Sequence, residues 1–121
     1  MQAMDTYPQH RGKTTIAPDV LVTIARLSAL GVPGVARLGP VPSEVNKLFQ
    51  RGLNEGVRIE VHGHAVAVEL HLVTRAETNV RDVARNVQAE VTRAIQDMVG
   101  MEVLHVNVHI EDVEPASDTN D

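Results

Sequence analysis

The sequence predicts an α+β fold: a two-layer sandwich with two helices on one face of a mainly antiparallel four-stranded sheet, in the order β-α-β-β-α-β. Three observations predict it. The stretch GVRIEVHGHAVAVELHLV folds onto itself with apolar residues matched across a turn. Two other stretches carry apolar residues at helical spacing. A final stretch, EVLHVNVHIEDV at residues 102–113, alternates apolar and polar side chains. Each strand thus has one apolar face and each helix a broad apolar stripe. Burying both leaves the second sheet face free.

The elements follow in order. Residues 1–11, MQAMDTYPQHR, lack periodicity and read as a flexible arm. Residues 13–16 read as a short first strand. Pro18 and Asp19 then open a helix, because proline suits the first turn and an acid faces the positive end of the dipole. Leu21, Ile24, Ala25 and Ser28 form its stripe, widened by Val20, Leu27 and Leu30. Gly31 and Pro33 end it. Val35 to Leu38 is a candidate second short strand. In PVPSEVNKLFQRGLNEG, Ser43 is placed to cap a short helix holding Val45, Leu48 and Phe49.

A hairpin with Gly63 and His64 at its turn pairs Val61 with Val66, Ile59 with Val68 and Val57 with Leu70. Arg58 then faces Glu69 on the other side as a cross-strand ion pair, and a one-residue slip would break this agreement. Thr78 or Asn79 caps the second helix. Its stripe is Val80, Val83, Ala84, Val87, Val91, Ala94, Ile95 and Met98, with Arg81, Asp82, Arg85, Glu90, Arg93 and Asp97 opposite. Gly100 closes it and the last strand follows. The domain therefore spans residues 12–113, and residues 114–121 form an acidic, disordered tail.

The totals exclude several classes. The chain has 121 residues, no cysteine and no tryptophan, and its only phenylalanine and tyrosine are Phe49 and Tyr7. Disulfides, a cysteine nucleophile and thiolate zinc sites are therefore ruled out. A net charge of −5 with 2% aromatic residues speaks against nucleic acid, which calls for a basic footprint and stacking platforms. No segment has the pattern of a signal peptide or the ~20 apolar residues of a membrane span. The chain by itself is expected to be soluble, and the lack of cysteine fits a reducing compartment.

GKTTIAPDVLVTIARLSALGVPGVARL, GVRIEVHGHAVAVELHLV and VGMEVLHVNVHIEDV, in that order and spacing, resemble the alkaline-shock or envelope stress response family of bacteria. The match runs from about residue 12 to residue 113. One departure is Ala17, where the family often places a capping serine. The resemblance implies a non-enzymatic cytoplasmic protein, without cofactor, linked to envelope or alkaline stress. It also implies self-assembly and docking to a membrane-anchored partner.

The residues themselves offer little chemistry. His105 and His109 share a strand face, but at about 13 Å along the strand they cannot ligate one ion unaided. His71 lies on the same face by parity. Arg58, Glu60, Glu69, His71, His105, Asn107, His109 and Glu111 read as a polar sheet face: solvated, or meeting a partner with pH-sensitive contacts. Ser28 lies on an apolar stripe, and no nucleophile elbow, phosphate loop or zinc-protease motif occurs. GVPG has the spacing of a KH loop but reads as a helix stop. No catalytic, metal or cofactor residue is assigned. Val20, Val22, Leu27, Leu30, Val32 and Val35 form the candidate interaction surface, because the first helix carries more apolar surface than one stripe. The expected function is a homo-oligomeric interaction protein. The alternative is a small ligand- or nucleic-acid-binding module on a split β-α-β fold.

Overall fold

The structure is a computed structural model that describes residues 12–40 and 56–115. The arm expected at residues 1–11, the short helix expected after Ser43 and residues 116–121 of the expected tail lie outside the described residues. The elements are α1 (Pro18–Leu30), β1 (Val35–Leu38), β2 (Val57–His62), β3 (Ala65–Arg75), α2 (Val80–Val99) and β4 (Glu102–Glu114).

Pro18 sits in the first turn of α1, and Ala17 supplies no side-chain cap. α2 is better terminated. The Asn79 side chain accepts from the Asp82 N–H at 3.0 Å, and Gly100 adopts a left-handed C-cap at φ 76°. Thr78, the other cap candidate, instead donates its hydroxyl to the Arg75 carbonyl at 2.7 Å.

The hairpin register is the expected one: Val57 opposes Leu70, Ile59 opposes Val68 and Val61 opposes Val66. β3 is the centre of the four-stranded sheet. β2 and β1 lie end to end along one side of it, antiparallel, while β4 runs parallel along the other. Two of the three ladders are therefore antiparallel, and the longest is parallel.

Two expectations change in detail. Residues 13–16 form no strand; the sheet is completed by Val35–Leu38, which follows α1. That short strand takes the stretch of β3 left open beyond β2, pairing Val35 with Thr74 and Leu38 with Leu72. In addition, β3 and β4 are direct neighbours joined by α2, so no strand stands between them as a split β-α-β arrangement requires. A helical crossover is the ordinary way to join adjacent parallel strands.

The core lies between the helices and the sheet. Leu21, Ile24, Ala25 and Ala29 of α1 and Val83, Val87, Val91 and Ile95 of α2 meet Val57, Val66, Val68, Leu70, Leu72 and Val106. Each large aliphatic side chain buried here contributes about 1.5–3 kcal/mol relative to exposure. The α2 line advances by four residues per step and continues to half-buried Val99, which leaves Met98 70% exposed rather than in the stripe.

Candidate functional site

Two surfaces carry the predicted residues: the free sheet face and the outer side of the helix layer. Register builds the first. Glu69 of β3 stands between Arg58 of β2 and Asn107 of β4, and His71 stands beside His109. The expected polar face thus exists as one array.

Its bonding differs from the expected pattern. Arg58 Nη2 donates to Glu60 Oε2 at 2.7 Å, along its own strand. Glu69 is engaged from the other side: Asn107 Nδ2 donates at 2.8 Å and His109 Nε2 lies 2.6 Å from Oε1. The Arg58–Glu69 ion pair therefore does not form, although the register that predicted it does. Asn107 on β4 reaches the carboxylate from directly alongside, while Arg58 bonds the acid two residues on along its own strand.

His71 is almost fully buried, and its Nδ1 lies 2.6 Å from Glu111 Oε2. The His71 and His109 rings stack at 4.7 Å between centroids, with an interplanar angle of 16°. A β-bulge permits this. Leu72 opposes Ile110 and Val73 opposes Asp112, so Glu111 is the extra residue in the ladder. Freed from a partner, it turns onto His71. Ionised carboxylates only accept hydrogen bonds, so His71 presents Nδ1–H and His109 presents Nε2–H.

Burial raises the Glu69 pKa, but the hydrogen bonds from Asn107 and His109 and the charges of His109 and His105 outweigh it; the net shift is downward. In the row Glu111–His71–His109–Glu69, each histidine places one ring nitrogen on a carboxylate and the two rings stack on each other. His105, expected in the same group, contributes only its charge to Glu69. Among the described residues, no group of three or more His, Asp or Glu side chains could hold a metal ion. What the face offers is a polar surface whose side chains are bonded to one another.

The helix layer carries the second surface. Val20, Leu27 and Leu30 are exposed, Leu27 by 62%. Val22 and Val35 are not available, being buried in the core, and Val32, also buried, contributes only to the wall of the groove beside Leu27. Position 22 faces inward because α1 is buried on a broad front, and Val32 and Val35 fold under the helix end as the chain turns into β1. Beside Leu27 lies a groove of about 550 Å³ between the two helices. Its walls are Leu27, Ser28, Gly31, Val32 and Pro33 on one side and Asn86, Ala89, Glu90, Arg93 and Ala94 on the other. Ser28 is no nucleophile in waiting, since its hydroxyl donates to the Ile24 carbonyl at 2.7 Å. GVPG is the turn leading into β1, as expected.

The contribution of α2 to this groove was missed in the sequence. Ala89 and Ala94 were the available signal, because small residues on a helix leave room beside a neighbour. A second groove of about 500 Å³ is lined by Thr14, Thr15 and Ile16 together with Leu21, Val61, Gly63, His64, Val99, Gly100 and Met101. The segment expected as a strand lies there.

No helix among the described residues is long and apolar enough to cross a membrane. Comparison with known proteins adds the following. Solved structures of the MamM CTD share the fold: MamM-CTD 215–293 superposes with a TM-score of 0.51 at 14% identity, covering 79% of this chain and 99% of that one. A cadmium form of a MamM CTD variant gives a TM-score of 0.51 at 16% identity, covering 79% and 98%. Among curated proteins, the uncharacterized YqhY of Bacillus subtilis (strain 168) is 28% identical over 109 residues, 88% of this chain and 81% of that protein. The uncharacterized YloU of the same organism is 22% identical over 106 residues, covering 84% and 88%. Residues 6–115 match the profile of the alkaline shock protein 23 family, described as having a cell envelope-related function. With nearly the whole chain matched and the fold in agreement with the resemblance read from the sequence, this protein belongs to that family.

Proposed function

We propose that this protein is a non-enzymatic envelope or alkaline stress response protein of the cytoplasm, which self-assembles and docks onto a membrane-anchored partner. One observation carries the reading: the exposed apolar row Val20, Leu27 and Leu30 on α1, beside a groove open between the helices. Apolar side chains grouped on one helix side and next to a concave surface are the usual mark of a protein contact. The family's envelope-related description supports a role connected with the envelope. The occupant of the groove is an apolar segment of the partner, and Glu90 and Arg93 at the rim orient it. The internally bonded histidines and the self-bonded Ser28 support a binding role over a catalytic one.

The test is membrane recruitment of the full chain, compared with a Leu27→Lys/Leu30→Lys variant. Both positions are solvent-facing, so the variant keeps its fold by circular dichroism. The wild type is expected to co-sediment with native membranes, to lose that binding when the membranes are treated with protease, and to ignore protein-free vesicles. The double variant stays in the supernatant. Equal binding by the variant, or equal binding to protein-free vesicles, overturns the docking reading. Light scattering after size exclusion, at pH 6 and pH 8.5, tests self-assembly; a monomer at all concentrations overturns that half.

A further inference from the structure

The outer edge of β4 has a chemistry that the polar face and the helix groove do not account for. β4 is 13 residues long and pairs with β3 only, so among the described strands its other edge is bare. Two bonds fix which groups point inward. Glu102 N–H donates to the His64 carbonyl at 3.1 Å, and the Glu114 carbonyl accepts from Ala76 N–H at 2.9 Å. Strand alternation, with ladder bulges between Val103 and His105 and between Ile110 and Asp112, then turns the N–H and C=O groups of Val106, Val108, Ile110 and Val113 outward.

Side chains cap this edge at two places. Gln88 of α2 donates to the Val106 carbonyl at 3.1 Å, and Asp112 accepts from the Val113 N–H at 2.8 Å. Between these caps, Val108 and Ile110 present their backbone groups without a capping side chain among the described residues. The bulges bracket this stretch rather than interrupt it. An uncovered run of regular edge strand is a template for pairing with another strand.

We propose that β4 pairs antiparallel with β4 of a second copy about a two-fold axis at Val108, joining two sheets into one of eight strands. Self-complementarity selects the second copy as the occupant. With Val108 opposite itself, Val106 meets Ile110, Asn107 meets His109, and His105 meets Glu111 of the other chain. Every one of these pairs lies on a common face: His105, Asn107 and His109 align with the outer-face residues of β3, the bulge residue Glu111 reaches that face through its bond to His71, and Val106, Val108 and Ile110 align with the core-face residues. Moving the axis to Asn107 would oppose His105 to His109 and Val103 to Glu111; moving it to His109 would oppose Val106 to Asp112. Pairing at Val108 also covers apolar surface, since Val108 and Ile110 are only half-buried in the single copy. The Val106 carbonyl has a second lone pair, so Gln88 need not leave.

The proposal rests on the self-assembly reading, and its test separates the two. The full chain, which has no cysteine of its own, is given Val108→Cys and oxidised. Directly opposed residues in an antiparallel pair lie about 5.5 Å apart at Cα, within disulfide reach, so a covalent dimer is expected. A control cysteine at exposed Gln96 should give none. Sedimentation of Val108→Pro, His105→Glu and His105→Lys follows. Proline removes an outward N–H that no strand uses in the single copy, and it should abolish the dimer. Glutamate at 105 would face Glu111 twice per dimer and should weaken association roughly tenfold, whereas lysine should preserve it. If Val108→Pro fails to fold, the His105 pair and the cysteine still decide. A wild-type monomer at millimolar concentration overturns both this inference and self-assembly. An oligomer that Val108→Pro and His105→Glu leave intact, and that Val108→Cys does not cross-link, overturns the edge pairing alone and points to the α1 row.

Discussion

Gly56 is the most informative single position for stability. It sits at φ +87°, immediately before β2, where three chain segments meet. Gly39 N–H donates to the His71 carbonyl at 2.7 Å, and His71 N–H donates to the Gly56 carbonyl at 2.9 Å. A Cβ on residue 56 would lie 2.6 Å from the Gly39 nitrogen and 2.9 Å from the His71 oxygen. Both are backbone atoms and cannot rotate away. Gly63 is the matched control: its φ is +65°, and an added Cβ would meet nothing within 4 Å. Gly63→Ala should therefore cost only the left-handed penalty, about 1–2 kcal/mol. Gly56→Ala carries a similar penalty and must also move backbone by roughly 0.8 Å to restore normal contact. That movement breaks or weakens a buried hydrogen bond at about 1–3 kcal/mol. The expected total is about 2–5 kcal/mol, about 1–3 kcal/mol beyond the control. Urea unfolding of both variants, followed by circular dichroism, measures the difference. Equal losses for the two alanines would refute the claim that backbone crowding at the β1–β2–β3 junction makes Gly56 necessary.

Two further predictions follow from the site and the core. The Glu69 carboxylate is held below its ordinary value in the folded state, so it contributes stability that is present above the unfolded pKa of about 4.5 and is lost as pH falls through the lower folded value. Glu69→Gln should thus be destabilised at pH 7 and show a flatter fall in stability below about pH 4.5; an unchanged acid limb in pH-dependent melts would contradict the Asn107–Glu69–His109 bonding. Thr74 is fully buried on the core face of β3, and its hydroxyl has no hydrogen-bond partner among the described residues. Thr74→Val keeps the branched shape and removes that group, so it should be neutral or stabilising by about 1 kcal/mol; a loss above about 1 kcal/mol in thermal unfolding would mean the hydroxyl is bonded after all.

Periodicity determined much of this protein without help from the third dimension. The 3.6-residue spacing of Val83, Val87, Val91 and Ile95 specified a helix with one buried line, and the apolar match across Gly63 and His64 specified the hairpin register. Strand parity put Glu69, His71, His105, Asn107 and His109 on one face. These are local patterns, in which each residue's direction follows from its neighbours along the chain. The order and spacing of the segments also carried the family resemblance.

Tertiary structure decided what depends on proximity between distant segments. Residues 13–16 and 35–38 were both candidate strands, and only the space left on β3 beyond β2 selected Val35–Leu38. Arg58 stood opposite Glu69 as the register required, yet a neighbouring strand captured the carboxylate. The bulge that gives Glu111 to His71 breaks the strict alternation from which the face was read. Among the apolar residues on and after α1, Val20, Leu27 and Leu30 remained exposed while Val22, Val32 and Val35 became core. Hydrophobicity alone marks a residue as able to be buried. Which copies of that ability are used, and which remain for a partner, is settled by how much covering surface the packed layers supply.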